Sequence, residues 1–270
     1  MSTDVAVIPA AGRGTRMRPA TRVLPKALMP IVDRPAIQYV VEEAVRAGSK
    51  EAILVVDPGV GELVERHFYE EGPLPGLDGV RVTAVTQEEQ LGLGHAILTA
   101  ADAVGDRSFF CLLADNIVLP GEDVLPSLAS AADGGAAVAV RTVADEWLSR
   151  YGVVAPRRWL SDTVLDISGA VEKPGKAAAP SSLGLIGRYL FTSEVFDFLS
   201  SQEPGHGGEI QITDTIDWLG GRGRCKAVVI GTDPLDVGSP KGYLEASTRL
   251  GLASPEHGQA YHLFLKGLDL

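Results

Sequence analysis

Short apolar segments that alternate with helix-like segments constrain the fold of this chain more than any other feature. The apolar segments are residues 5–9, 52–56, 80–85, 109–113 and 136–140. Apolar side chains recur at helical intervals in the intervening residues 36–47, 61–69 and 94–104. Strands that alternate with helices form right-handed βαβ units around a parallel sheet. The first half of the chain is therefore predicted to be an α/β structure with a mostly parallel sheet.

The pattern changes after residue 150. Shorter alternating segments predict strands at residues 151–155, 164–171 and 187–191, and helical spacing predicts helices at 194–200 and 209–219. From Pro240 onward the spacing indicates a helix followed by a second helical piece. No low-complexity linker separates the two halves. We therefore expect an α+β lid or insertion on the same sheet, and not a separate linked domain.

The chain is acidic overall and basic at one place. Its 270 residues carry a formal net charge of −11 at pH 7, which argues against nucleic acid or an anionic membrane as a partner. Residues 1–35 nevertheless contain six basic and two acidic side chains, a local charge of +4, so the remainder carries −15. A concave basic loop in an acidic body would concentrate a small polyanion. This contrast favours a phosphate site over a solvated basic loop.

The cysteines and the hydropathy pattern bear on the cellular compartment. Cys111 and Cys225 form no CxxC pair and have no metal-ligand spacing. The N-terminal residues lack the pattern of a signal peptide, and no uncharged apolar run approaches the roughly 18 residues that span a bilayer. We therefore expect a reduced, cytoplasmic protein.

Five of these six basic side chains lie in a loop, residues 10–26, directly after the first apolar segment. Its sequence GRGTRM lacks the third glycine of a dinucleotide-binding fingerprint and the Gly-Lys-Ser/Thr ending of a P-loop. Gly12 and Gly14 would still let backbone N–H groups approach an anion. Arg16 offers a planar fork to phosphate oxygens, and Lys26 offers a mobile charge. The loop predicts a phosphate cradle, with a tight surface turn as the alternative.

A series of sequence motifs extends along nearly the whole chain. The longest is IPAAGRGTRMRPATRVLPKALMPIVDRPAIQYVVEEAVRAG, residues 8–48. It is followed by GLGHA (92–96), LADNI (113–117), YGVV (151–154), VEKP (171–174), IGRY (186–189), GGEIQITDTI (207–216) and LDVGSPKGY (235–243). In this order the motifs resemble those of the sugar-phosphate nucleotidyltransferases, and most closely those of the bacterial UTP–glucose-1-phosphate uridylyltransferases.

The resemblance implies a fold and a reaction. The fold would be a Rossmann-like, mostly parallel mixed sheet flanked by helices, of the nucleotide-diphospho-sugar transferase type, with a small α+β sugar-binding lid. Within a single domain, residues 1–142 would bind the nucleotide, 143–239 would form the sugar-binding lid part, and 240–270 would form C-terminal helices. The substrates would be UTP, or dTTP, and glucose 1-phosphate or a related sugar 1-phosphate. The cofactor would be Mg²⁺, and the protein would be a homodimer or homotetramer.

The same motifs assign candidate site residues by resemblance. The catalytic cations would be Arg16, Lys26 and Lys173. The nucleotide would contact Ala10, Ala11, Gly12, Gly14, Thr15, Gln87, Gly92 and Asp115. The sugar phosphate would contact Gly152, Glu172, Lys173 and Gly187. Asp115 and Asp236 follow apolar segments and would hold Mg²⁺, whereas without the motifs a turn or helix cap would be the simpler role for each.

Several assignments stay open at this point. His95 is expected to pack or to cap a helix, and Glu209, Gln211 and Asp214 either line the lid or cap a helix. Residues 67–82 are shorter than the corresponding part of the uridylyltransferases, which contributes to subunit contacts there. The alternative functions are a glucose-1-phosphate thymidylyltransferase or related enzyme, a non-catalytic nucleotide-sugar binding protein, and a nicotinamide-dependent dehydrogenase, which the missing third glycine disfavours.

Overall fold

The computed structural model describes residues 3–70, 72, 74–119 and 121–268. The strands are β1 Val5–Pro9, β2 Pro30–Ile31, β3 Arg34–Pro35, β4 Glu51–Val56, β5 Arg81–Thr86, β6 Phe109–Leu112, β7 Asn116–Ile117, β8 Ala136–Thr142, β9 Gly152–Trp159, β10 Val164–Glu172, β11 Leu183–Phe191, β12 Cys225–Val229 and β13 Leu235–Asp236. The helices are α1 Ala36–Arg46, α2 Gly61–Tyr69, α3 Leu93–Thr99, α4 Ala101–Val104, α5 Val124–Ala131, α6 Gly175–Ala178, α7 Glu194–Ser201, α8 Ile212–Gly221, α9 Pro240–Ala253 and α10 Gly258–Lys266.

One mixed sheet organises these elements, with strand order β5-β4-β1-β6-β11-β8-β12-β10-β9 among the described residues. The pairs β1–β4, β4–β5, β1–β6 and β8–β12 are parallel. Strand β11 runs antiparallel to β6 and β8, and β10 runs antiparallel to β9 and β12. The predicted mixed α/β sheet is confirmed, and strands on both sides of residue 150 belong to it. The functional division into residues 1–142, 143–239 and 240–270 stays a prediction.

The central strands are covered by helices on both faces. In β1, Val5 and Val7 belong to one buried cluster, whereas Ala6 and Ile8 belong to another. Because successive side chains point to opposite faces of a sheet, each face has its own core. On one face, helix α1 buries Ile37, together with Val40, Val41 and Ala44, in the cluster of Ala6 and Ile8. The helical spacing of these apolar residues therefore fixes which side of α1 meets the sheet.

Several element boundaries differ from the sequence predictions; β9, for instance, extends to Trp159 and not only to residue 155. The interpretation of residues 94–104 as one helix is wrong, because α3 and α4 are separated at Ala100, whose N–H closes the last turn of α3. Strand β11 begins four residues before the predicted Gly187, which has φ +78° and lies in a register irregularity between Leu185 and Tyr189. Helix α8 begins at Ile212, because residues before it form backbone hydrogen bonds with the segment that precedes α3.

Those hydrogen bonds join the two halves of the chain near the carboxyl edge of the sheet. The Ile210 N–H donates to the Leu91 carbonyl at 2.7 Å, and the Gly94 N–H donates to the Ile210 carbonyl at 2.8 Å. The loops that follow β1, β5 and β6 lie at the same edge, where open α/β sheets bind ligands. This edge is therefore the place to look for a site.

Two further findings concern the cysteines and the hydropathy of the helices. Both cysteines are free thiols and both are buried. Across the described residues, no helix has the length and apolar character needed to cross a membrane.

Candidate active site

Two cavities meet at the carboxyl edge of the sheet. The first, called here the loop cavity, has a volume of about 630 Å³ and lies between the loop after β1, the start of α3 and residues 207–209. The second, called the lid cavity, has a volume of about 390 Å³ and lies among β9, β10, β11 and β13. Leu93, Leu113 and Asp115 line both cavities. Two ligands that filled the cavities would therefore meet at Asp115.

The loop after β1 forms one wall of the loop cavity. Ala10, Ala11, Gly12, Thr15 and Lys26 line it, as predicted for a nucleotide site. Gly14 is different, because it lines neither cavity and has φ +55°. A Cβ on Gly14 would come within 2.9 Å of Thr21, whose hydroxyl donates to the Gly14 carbonyl at 2.7 Å. We find that Gly14 closes the loop on itself, so its predicted contact with a nucleotide is not supported by its position.

Two cations and two carboxylates face one another where the cavities join. Lys26 Nζ lies 2.7 Å from Asp115 Oδ2, and its side chain is 16% exposed. Arg16 lies 4.0 Å from Asp115 and 3.8 Å from Asp236, and its side chain is 62% exposed. Exposed ion pairs at such distances contribute at most about 1 kcal/mol. Arg16 can therefore exchange these carboxylates for phosphate oxygens at little cost, whereas Lys26 is held in place.

The two carboxylates are brought together by a small pairing of strands. In it, β7 pairs with β13 so that Asp236 lies opposite Asn116, and the Val237 N–H donates to the Asp115 carbonyl at 2.8 Å. A Cβ on Gly238 would lie 2.8 Å from Asp115 Oδ2 and 3.0 Å from Asp236 Oδ1. Glycine at this position therefore leaves a gap between the carboxylates, which the Arg16 guanidinium borders, with Nη2 at 2.9 Å from the same point.

This gap fits a hard divalent cation. The described residues contain no group of three or more His, Cys, Asp or Glu side chains arranged to hold a metal. Mg²⁺ does not need such a group, because it is usually bound by one or two carboxylates together with waters and substrate phosphates. Asp115 and Asp236 supply that number of carboxylates beside the basic loop after β1.

Gln87 lines the loop cavity and is only 2% exposed. Its amide nitrogen lies 2.8 Å from His95 Nδ1 and 3.4 Å from the Gly92 carbonyl. This contact is compatible with the expected packing role of His95, which lines neither cavity and holds the amide of a residue that does. Gly92 has φ +108°, and a Cβ there would lie 2.8 Å from the Ile210 carbonyl oxygen. Position 92, where the chain before α3 packs against Glu209 and Ile210, therefore requires a glycine.

The lid cavity contains the predicted sugar-site residues. Lys173 Nζ lies 2.8 Å from Glu172 Oε1, and the Thr213 hydroxyl donates to Glu172 Oε2. Lys173 has φ +46°, an uncommon conformation for a residue with a side chain, which often occurs at functional sites. The side chain of Glu172 is thus fixed at both oxygens, while Lys173 remains 39% exposed to the cavity.

Gly152 and Gly187 line the lid cavity, but protein atoms occupy the space beside them. A Cβ on Gly152 would lie 2.8 Å from Thr213 Oγ1, and one on Gly187 would lie 2.7 Å from Leu113 Cδ1. Their predicted purpose was to let the backbone approach a sugar. The close packing gives a second reason for glycine at these positions, and the predicted contact with a sugar stays a prediction.

Other residues line the cavities without having been singled out in the sequence. These are Arg13 and Gln90 in the loop cavity, and Asn116, Arg141, Trp147, Arg150, Tyr189 and Asp233 in the lid cavity. Arg13 belongs to the basic loop, so the charge pattern could have indicated it. Asn116 and Tyr189 belong to the motifs LADNI and IGRY, whereas the remaining residues lie outside the quoted motifs. Of the residues left open, Glu209 lines the loop cavity and Gln211 the lid cavity. Asp214 lines neither, and burial, followed by the nearby Glu172, raises its pKa.

Comparison with known proteins agrees with this arrangement. The sequence model of a family described as nucleotidyl transferase matches residues 5–251. The chain is 35% identical over 284 residues to the UTP–glucose-1-phosphate uridylyltransferase of Staphylococcus epidermidis, and the match covers 98% of each protein.

Comparison with solved structures supports the same family. A UDP-glucose pyrophosphorylase complexed with UDP-glucose is 37% identical, with a TM-score of 0.83, and the match covers 92% of this chain and 98% of that one. A UTP-bound UGPase from Acinetobacter baumannii is 31% identical, with a TM-score of 0.84, and the match covers 99% of this chain and all of that one, 100%. These similarities extend over nearly the whole chain, and they confirm the resemblance seen in the motifs. The chain belongs to the nucleotidyl transferase family.

Proposed function

We propose that this protein is a UTP–glucose-1-phosphate uridylyltransferase, which converts UTP and glucose 1-phosphate into UDP-glucose and pyrophosphate. The observation that carries the proposal is the position of Asp115, which lines both cavities and contacts Lys26. The loop cavity would hold UTP and the lid cavity would hold glucose 1-phosphate. Their reacting phosphates would then meet beside Asp115, Lys26 and Arg16.

The chemistry requires alignment and charge neutralisation. A phosphate oxygen of glucose 1-phosphate attacks the α-phosphorus of UTP, a new oxygen–phosphorus bond forms, and the bond from the α-phosphorus to the bridging oxygen of pyrophosphate breaks. The nucleophile is already an anion, so no residue has to remove a proton from it. Positioning and electrostatic stabilisation supply most of the catalysis in such transfers. Lys26 would bind the nucleotide phosphates. Arg16 would stabilise the negative charge that develops on the leaving pyrophosphate.

Asp115 and Asp236 would hold Mg²⁺, since their carboxylates flank the gap that Gly238 leaves open. When bound, the ion would neutralise phosphate charge and help to align the two substrates. The gap lies within the same group of charges as Lys26 and Arg16. The four side chains would therefore act on the same phosphates.

On the sugar side, Lys173 and Glu172 have separate tasks. Lys173 would bind the phosphate of glucose 1-phosphate, while Glu172 would accept hydrogen bonds from sugar hydroxyls. The contact of Thr213 with one oxygen of Glu172 fixes the carboxylate. This arrangement would favour a hexose with hydroxyls in the matching orientation.

The base would lie against Gln87 and the backbone of Ala10, Ala11 and Gly12 in the loop cavity. A side-chain amide can pair with the edge of uracil, whereas a purine would present a larger ring and leave polar groups unpaired. Each unpaired buried group costs about 1–3 kcal/mol. A thymine differs from uracil by one methyl group, which allows discrimination of at most about 100-fold.

Replacing Gln87 by alanine should therefore flatten the preference among nucleotides. For the unaltered protein we expect kcat/KM values for UTP and dTTP within roughly 100-fold of each other, and far lower values for ATP and GTP. The measurement is kcat/KM for each triphosphate at fixed glucose 1-phosphate. Gln38→Ala is the matched control, because Gln38 is also a buried glutamine but lines neither cavity. An unchanged ranking in Gln87→Ala would remove Gln87 as the reader of the base.

The proposal as a whole is tested by pyrophosphate release across a matrix of five nucleoside triphosphates and several sugar 1-phosphates. We expect the highest rate with UTP and glucose 1-phosphate in the presence of Mg²⁺. A nucleotide-sugar binding protein would retain UDP-glucose binding but release no pyrophosphate with any pair. A best rate with dTTP would identify the thymidylyltransferase alternative, and a best rate with ATP or GTP would contradict the proposal. The homodimer or homotetramer implied by the resemblance stays a prediction.

A further inference from the structure

Arg188 is a fully buried arginine that the proposed reaction does not use. It lies in β11, its side chain is 0% exposed, and it lines neither cavity. Glu43 of α1 accepts two hydrogen bonds from it, at 2.9 Å from Nε and 2.8 Å from Nη2. The pair therefore connects a helix of the first half of the chain with a strand of the second half.

All five N–H donors of the Arg188 guanidinium have acceptors. Besides the two bonds to Glu43, Nη1 donates to the carbonyls of Gly187 at 3.0 Å and Leu113 at 3.4 Å, and Nη2 donates to the carbonyl of Asn116. A guanidinium has one donor on Nε and two on each Nη, so none is left over. A lysine would keep the charge but could not reproduce this planar fork.

The acceptors show what the guanidinium holds. Leu113 and Asn116 stand on either side of the segment that contains Asp115, and Arg188 bonds to the carbonyls of both. The Gly187 carbonyl also accepts from the Leu113 N–H at 3.0 Å, which adds a second link between β11 and this segment. Asp115 is thus fixed through backbone atoms of its neighbours and not through its carboxylate.

Stability alone does not explain such a pair. Removing two charges from water costs about as much as their attraction returns, and apolar residues of similar volume often stabilise a protein equally well. Apolar side chains, however, could not bind three carbonyl groups at once. The arrangement is better explained by the geometry that it imposes.

We propose that the buried Arg188–Glu43 pair is a positioning device that sets the backbone around Asp115, and with it the carboxylate that faces the phosphates and Mg²⁺. Glu43 orients the guanidinium, and the guanidinium in turn fixes the segment from Leu113 to Asn116. Arg188 and Glu43 are positioning residues, since neither touches a cavity. The role assigned to Asp115 rests on the proposed function, whereas the restraint on the backbone does not.

The test uses two variants and one matched control. Glu43→Gln keeps the shape of the side chain but loses the charge that orients the fork, and Arg188→Lys keeps the charge but loses the fork. Glu51→Gln is the control, because Glu51 is also a buried glutamate paired with arginines, at 2.8 Å from Arg107 and 3.0 Å from Arg81, and it lines neither cavity. The melting temperatures of the three variants show how much of any loss of activity results from a less stable fold.

Two readouts are needed. The first is amide hydrogen exchange without substrates, which we expect to become at least tenfold faster at residues 113–117 in Glu43→Gln and Arg188→Lys, with the central strands β1 and β4 unchanged. The second is turnover, in which we expect kcat about 10–100-fold lower and a higher Mg²⁺ concentration for half-maximal rate, the scale typical of groups that orient metal ligands. The KM for UTP should change by less than about threefold.

The outcomes separate the proposal from its alternatives. If Glu51→Gln lowers the melting temperature and kcat as much as the two variants do, or if exchange at residues 113–117 is unchanged, the positioning role is wrong. If the unaltered protein releases no pyrophosphate, the proposed function fails, but the exchange measurement still decides whether the pair restrains the Asp115 segment.

Discussion

Replacing Asp115 by asparagine is expected to lower kcat at least ~100-fold while the fold is retained, the scale of a lost electrostatic contribution to the transition state. Asparagine keeps the size of the side chain but removes the charge that lies 2.7 Å from Lys26 Nζ. Asp236→Asn should have an effect of the same order, because its carboxylate borders the same gap. The measurement is the initial rate of pyrophosphate release as a function of Mg²⁺ concentration.

Asp233→Asn provides the control for these variants. Asp233 also lines the lid cavity, but it is paired with Arg141 at 2.9 Å and does not border the gap at Gly238. Its replacement should change kcat by less than about tenfold, as expected for an exposed pair. Near-normal, Mg²⁺-dependent rates in both Asp115→Asn and Asp236→Asn would contradict the assignment of the metal site.

Arg16→Ala should lower kcat by a factor on the order of 100 and raise the KM for UTP much less, because an interaction made chiefly in the transition state affects kcat. The structure supports this division. Arg16 is 62% exposed and only loosely paired with the carboxylates, so it can move as the pyrophosphate leaves.

Arg46→Ala is the matched control for Arg16, since Arg46 is an exposed arginine at the end of α1 that lines neither cavity. We expect unchanged kinetics for it. A rise in KM with kcat unchanged in Arg16→Ala would show that Arg16 binds the ground state, and the role proposed for it would be wrong.

Local sequence patterns correctly predicted the helices and strands that are determined by residues within the same segment. Strand β1 and helix α2 have the predicted bounds, because an apolar run or a helical period is visible within each segment. The break at Ala100 and the early start of β11 were missed, since each depends on residues that are distant in sequence. The position of β11 between β6 and β8 likewise results from pairings that no single segment reveals.

The site shows the same division between local and distant causes. The basic loop could be predicted from charge and glycine content alone, whereas Asp115 and Asp236 were assigned only through the resemblance of their motifs. The approach of Asp236 to Asp115 depends on the pairing of β7 with β13, so without the family motifs each aspartate would have been interpreted as a turn or cap. The contact between His95 and Gln87, and that of Arg188 with the Asp115 segment, could not be predicted because they arise only when the elements pack.

The central claim is that a phosphate oxygen of glucose 1-phosphate attacks the α-phosphorus of UTP. Phosphorus-31 NMR of the reaction with glucose 1-phosphate labelled with oxygen-18 at all phosphate oxygens tests it most directly. We expect all label to remain in UDP-glucose, including the oxygen that bridges its two phosphorus atoms, and the pyrophosphate to be unlabelled. Label in the pyrophosphate, or release of inorganic phosphate as the first product, would contradict it.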